Sequence, residues 1–171
     1  MIIQEIKTAF GDMPYPGTER IVNDLQGYDL ERKQIKEEFS RYENWLDVPR
    51  ELLVQERDAL PLFEPQGFRF YLPAYMLFAV EDYEEADTIP ASIVYSLTLP
   101  DAGTEFYEFV QERLVLFDEG QRKAILNFLE YLELSHAEDF TDVCTGGWCS
   151  VTPRRAIESW DKLVAGGIQN T

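Results

Sequence analysis

The chain is poor in the groups that most enzymes rely on. Among 171 residues there is one histidine, His136. Any Ser–His or Cys–His catalytic pair would have to use it. No Gly-x-Ser-x-Gly elbow occurs. No phosphate loop occurs either, because Gly146-Gly147 runs straight into Trp148 without a following Gly-Lys-Ser/Thr. The two cysteines, Cys144 and Cys149, make with His136 three soft metal ligands, one short of a closed structural zinc site. The His-x-Glu and Pro-Cys-x-x-Cys pair of the zinc deaminases is missing. These gaps predict no bound cofactor and no metal. No apolar run reaches the roughly 18 residues of a membrane span. Residues 1–20 lack the basic start and apolar core of a signal peptide. The expectation is a cytoplasmic protein with two reduced thiols, although a disulfide across the Gly-Gly turn is geometrically allowed.

Positive charge is also scarce. Lys and Arg number 15 against 32 Asp and Glu, a net charge of −17. That balance argues against binding nucleic acid or an anionic membrane, both of which need positive charge. The deficit is local: residues 81–142 hold 16 acids and 3 bases, whereas residues 1–80 hold 14 and 9. Such a segment suits a basic partner, a cation, or plain solubility. With 32 acids, two carboxylates fall close together by chance, so paired carboxylates point to no acid–base site.

What the chain does have is apolar substance, 45% hydrophobic and 13% aromatic, enough for one folded domain over 1–171. Its centre is Phe63–Val80, and Phe70–Val80 is an uncharged run of eleven residues. The pattern predicts an all-α fold: an irregular helical bundle around a buried central helix at about 64–80. A C-terminal extension, about 135–171, is expected to pack on it. Ile3, Ile6 and Phe10 share a helical face. Thr18 is read as capping a short helix through Ile21, Val22 and Leu25, ended by Gly27. Leu30, Ile35, Phe39 and Tyr42 mark the apolar side of a charged surface helix. Pro49 suits a helix start and Pro61 a break. Ser92–Leu99 fits helix or strand, and helix is preferred. Phe106, Phe109, Val110 and Leu114 form another apolar stripe. Asp118 with Gln121 is a capping box opening a helix through Ile125, Phe128, Leu129 and Leu132. Val143–Thr145 and Trp148–Val151 around Gly-Gly read as a small hairpin. Thr152-Pro153 opens a last helix, ended by Gly166.

Three places merit attention for function. Pro73 inside the central helix removes one backbone bond and crowds the carbonyl of Arg69. Either it is a tolerated bend, or a kink there opens a pocket between Arg69, Tyr71 and Tyr75. Glu81, Asp82, Glu84, Glu85 and Asp87 follow as an acidic loop. They lack the register of a calcium hand, so the loop is a solvated surface, a weak cation site or a docking patch. Trp45, Trp148 and Trp160 are core residues or interface anchors, and Trp148 is the one placed for exposure at a hairpin tip.

Phe39 and Trp45, then Phe68 with Tyr71-Leu72-Pro73-Ala74-Tyr75, then Gln121-Arg122 with Ala124, Ile125, Phe128 and Leu129, form three ordered blocks. In these blocks the chain resembles the bacterial family known as domain of unknown function 6714, over about residues 2–134. The resemblance implies a compact fold and carries no activity. The residues themselves favour a non-enzymatic acidic module that binds a basic protein through 81–142, in the manner of an immunity protein or a nucleic-acid mimic. The alternative is a carboxylate-based enzyme or a small-ligand or divalent-cation protein built at the bend of the central helix. A third reading is a subunit that self-associates through exposed aromatics.

Overall fold

A computed structural model describes residues 1–23, 29–140, 144–145, 148–149 and 151–165. The described residues form an all-α domain. Its long helices are α1 (Ile2–Phe10), α2 (Leu30–Phe39), α3 (Arg50–Gln55), α4 (Pro65–Glu81), α5 (Tyr83–Ala86), α6 (Ile89–Ser96), α7 (Tyr107–Leu114), α8 (Glu119–His136) and α9 (Pro153–Ala165). Two short strands, β1 (Cys144–Thr145) and β2 (Trp148–Cys149), pair antiparallel with Cys144 opposite Cys149. The side chains of both cysteines and of Trp148 lie outside the described residues, as do Leu25, Gly27 and Gly166.

The central helix is α4. It touches α1, α3, α5, α6 and α7, and α8 packs between α1 and α9. Its eleven buried residues leave it almost no polar side, which is why the uncharged run reads as the heart of the chain. The helix continues through Pro73 without a break. Aromatic rings fill both flanks of its first half. On one flank Phe39 meets Phe63, Tyr71 and Tyr75 with ring centres 5.1, 4.9 and 6.4 Å away. On the other, Phe117 lies 6.1–6.2 Å from Phe10, Phe68 and Trp160. Edge-to-face packing of this kind adds roughly 0.5–1.5 kcal/mol per pair beyond burial.

Gly67 sets how α4 enters. Ile21 passes so near that a Cβ on Gly67 would collide with the Ile21 carbonyl and lie 2.9 Å from its Cα. The same strand-like crossing pairs Val22 with Phe63, and the Glu64 amide donates to the Ile21 carbonyl at 2.8 Å. The expected helix after Thr18 is therefore corrected. Thr18–Arg20 make one 3-10 turn capped from Gly17, and the chain then extends to reach Phe63.

Helix C-termini are closed by an unexpected device. Each helix leaves carbonyls without an internal partner at that end. Buried aromatic donors from elsewhere add hydrogens to carbonyls at or just past these ends, and Phe10, Phe39 and Glu56 also accept the amides of Met13, Tyr42 and Ala59. Trp45 Nε1 donates to Phe10 at the end of α1, 3.0 Å away. The Tyr71 hydroxyl donates to Phe39 at the end of α2 (2.9 Å), and it also lies 3.1 Å from the Tyr42 carbonyl. The Tyr75 hydroxyl donates to Glu56, just past α3, at 2.7 Å. Trp160 Nε1 donates to Leu97, just past α6, at 2.6 Å. Two arginines also donate to carbonyls, though not only at helix ends: Arg113 reaches Phe63, ahead of α4, and Phe109 within α7, and Arg122 reaches Val115 and Phe117 in the segment between α7 and α8.

Other expectations resolve as follows. Ser92–Leu99 is helical through Ser96. The Asp118–Gln121 capping box is present in both directions. Thr152 Oγ1 accepts from the Arg155 amide at 3.2 Å, as a cap does. Leu30 does not join the buried side of α2, whose core contacts are Ile35 and Phe39. On α7 the stripe is misassigned: Phe106 and Phe109 are exposed, and Leu114 and Arg113 face inward.

Candidate functional site

The acidic segment is not a loop. Asp82 caps a single helical turn, α5, its carboxylate accepting from the Glu85 amide at 3.4 Å. Two apolar contacts hold the turn down. Ala86 is buried, and the Tyr83 ring stacks on His136 with centres 3.5 Å apart and planes 7° apart. His136 is held further by the Tyr131 hydroxyl, 3.3 Å from Nε2, and by Asp139, 4.0 Å from Nδ1. Burial, with a hydrogen bond to Asp139, raises the Tyr83 phenol well above its ordinary pKa. The one histidine thus fastens the acidic turn to the end of α8. Asp87, with φ of 50°, then reverses the chain into α6. Aspartate is among the few residues that tolerate a positive φ.

With α5 anchored by Tyr83 and Ala86, its carboxylates face out. Glu81, Asp82 and Glu85 converge on one guanidinium. Arg50 lies 2.8, 3.6 and 3.9 Å from them, with its charge 5.3 Å above the centre of the Phe78 ring. Asp87 pairs with Arg57 at 3.1 Å. Glu84 makes no ion pair among the described residues. The placement runs against the helix dipoles on both sides. Glu81 and Asp82 stand at the negative end of α4, and Arg50 stands at the positive end of α3. Each is tolerable there because it faces the other.

Beside Arg50 a groove of about 310 Å³ opens between the Trp45–Leu53 segment and the second half of α4. Val48, Leu53, Ala74, Leu77 and Phe78 give it an apolar wall, and Asp47, Arg50 and Glu81 provide its polar edge. Leu46 at its mouth is 45% exposed. The volume is at the small end of the roughly 300–1,000 Å³ typical of ligand clefts.

The bases inside 81–142 do little to offset its acids. Arg113 and Arg122 give their donors to carbonyls, and Lys123 is exposed. Arg113 is 5% exposed and its Nε has no hydrogen-bond partner among the described residues; burial lowers its pKa. Partial compensation comes from outside the segment, through Arg50, Arg57, Arg69, Arg154 and Lys162.

The other singled-out residues fall elsewhere. Arg69 donates to the Gln121 side chain at 2.9 Å and lies 3.6 Å from Asp118, so it braces the start of α8. Tyr71 and Tyr75 point to the α2 and α3 ends, and burial raises both phenols. The three do not line the groove beside Arg50. Trp45 and Trp160 are core residues. Among the described residues, no three His, Cys, Asp or Glu side chains gather as metal ligands. No helix among them is long and apolar enough to cross a membrane. The groove and the arginine clamp escaped sequence reading. Their signal was the proximity of Pro49-Arg50 to a run of acids some thirty residues on, which only the fold brings together.

The molecule is thus an acidic all-α domain with its charge gathered beside a small apolar groove. Residues 1–162 match the family model described as Family of unknown function (DUF6714), and the chain belongs to that family. The match runs past residue 134 through most of α9, in keeping with the burial of Ala156 and Trp160. No curated protein and no solved structure matches the chain.

Proposed function

We propose that this protein is a non-enzymatic interaction module that binds a basic protein through the acidic face around α5. One observation carries the reading. Glu84 and Glu85 stand on a short helical turn held in place by Tyr83 and Ala86, Glu81, Asp82 and Asp87 flank it, and among the described residues only Arg50 and Arg57 pair with this group. A fixed array of like charge speeds encounter with a partner of opposite charge and selects against anionic ones. An immunity-like role, blocking a basic toxin, or mimicry of nucleic acid would both use such a face.

The test is cross-linking in cells, with wild type beside a variant carrying Glu81→Gln, Asp82→Asn, Glu84→Gln, Glu85→Gln and Asp87→Asn. The expected result is a basic protein cross-linked to wild type, released as salt rises and lost in the variant. A partner that the neutral variant retains, or that stays bound at high salt, contradicts the reading.

A further inference from the structure

We propose that the Arg50 clamp is a receptor for a partner's arginine, occupied in its resting state by the protein's own side chain. The groove beside it takes the apolar residue next to that arginine. The inference rests on the basic-partner reading and narrows it to a basic segment pairing arginine with a bulky apolar neighbour.

The receptor has four parts. Three carboxylates, Glu81, Asp82 and Glu85, lie within 4 Å of one guanidinium. The face of Phe78 lies beneath it, as cation–π contacts require. The C-terminal end of the 17-residue α4 adds its partial negative charge. Asp47 extends the acidic edge along the groove. These features favour a cation, and guanidinium above ammonium, since only the planar fork can serve several carboxylates and a ring at once.

Arg50 fills this receptor loosely. Its side chain is 44% exposed, and only the Glu81 contact is a hydrogen bond, at 2.8 Å. It stands on the first turn of α3, where a cation is disfavoured by the helix dipole. Exposed ion pairs of this type contribute about 0–1 kcal/mol, so an incoming arginine displaces Arg50 at little cost. Exposed Leu46 and partly exposed Leu77, over a floor of buried Val48, Leu53 and Phe78, then receive the neighbouring side chain. Burying one leucine-sized group contributes about 1.5–3 kcal/mol, which corresponds to a tenfold or greater preference. Charge alone would give affinity without that preference. The groove supplies discrimination among basic partners.

The experiment titrates the full chain with two synthetic peptides of equal charge, one alternating Arg with Leu and one alternating Arg with Ser. The proposal expects both to bind at low salt and the Arg/Leu peptide to bind about tenfold more tightly. Leu46→Ser with Leu77→Ser should abolish that preference while keeping Arg/Ser binding. Arg50→Ala should strengthen binding of both peptides several-fold, because the receptor is vacated, and circular dichroism will confirm that each variant is folded. Equal binding of the two peptides, or a preference that survives the leucine replacements, overturns the groove while leaving the basic-partner reading intact. Weaker or unchanged binding by Arg50→Ala overturns the exchange. If neither peptide binds, the basic-partner reading falls and the receptor with it.

Discussion

The two halves of α4 spend their side chains differently. From its start through Tyr75, the side chains of Arg69, Tyr71 and Tyr75 are all consumed internally: one braces α8, and two bond carbonyls at the ends of α2 and α3. Beyond Tyr75, Leu77 and Phe78 line the groove, and the helix ends in carboxylates whose nearest cation is half-exposed. Polar groups in the first half answer to folding. Those at the end of the second half and just past it pair with Arg50 at the surface. The most distinctive sequence, FRFYLPAY, is therefore the least free to act on anything outside the molecule.

The contrast can be broken first where it is strongest. Phe39→Ala removes the ring shared by Phe63, Tyr71 and Tyr75, and should cost about 3–5 kcal/mol in denaturant unfolding. Gly67→Ala forces Ile21 away from α4 and should cost roughly 1–3 kcal/mol, as overpacking does. Tyr75→Phe removes one of two donors to the Glu56 carbonyl, which keeps the Ala59 amide at 3.1 Å, and should cost about 1 kcal/mol. On the acidic turn that follows the helix, Glu84→Gln should change stability by no more than about 0.5 kcal/mol. A large loss from Glu84→Gln, or none from Tyr75→Phe, would erase the distinction.

The same contrast has a pH signature. Burial raises the phenols of Tyr71, Tyr75 and Tyr83 above the ordinary value of 10. Above that pH the unfolded chain releases protons that the folded chain keeps. The stability they contribute is complete below about pH 10 and is lost as pH rises beyond it. Arg113, with its pKa lowered by burial, works in the opposite direction, but it is one group against three. Tyrosinate absorbance should therefore include a cooperative step that coincides with the loss of helical ellipticity. Smooth ionisation of every tyrosine in a folded chain would contradict the buried donors.

Much of the fold was legible because its signals are local. The capping box at Asp118, the eleven-residue uncharged run and the periodicity of α8 each need only a few neighbouring residues. The misreadings share a cause. Thr18 looked like a helix cap, but Val22 is claimed by Phe63, far along the chain. Glu81–Asp87 looked like a loop, because Tyr83 and Ala86 are too few to register as periodic, and the His136 ring that holds the turn comes from the end of α8. The sequence leaves Tyr71 and Tyr75 between a core role and a pocket because their acceptors are carbonyls 32 and 19 positions away, groups that a sequence does not display. The acidic segment was visible from composition. The arginine and groove that give it a shape were not.

The central claim is that binding belongs to the second half of α4 and its acidic turn. The direct measurement is an amide chemical-shift map of the chain titrated with the Arg/Leu peptide. Shifts confined to residues 45–53 and 76–87 are the predicted result. Shifts centred on Arg69–Tyr75, or on the exposed Phe106 and Phe109 of the α7 region, would contradict it.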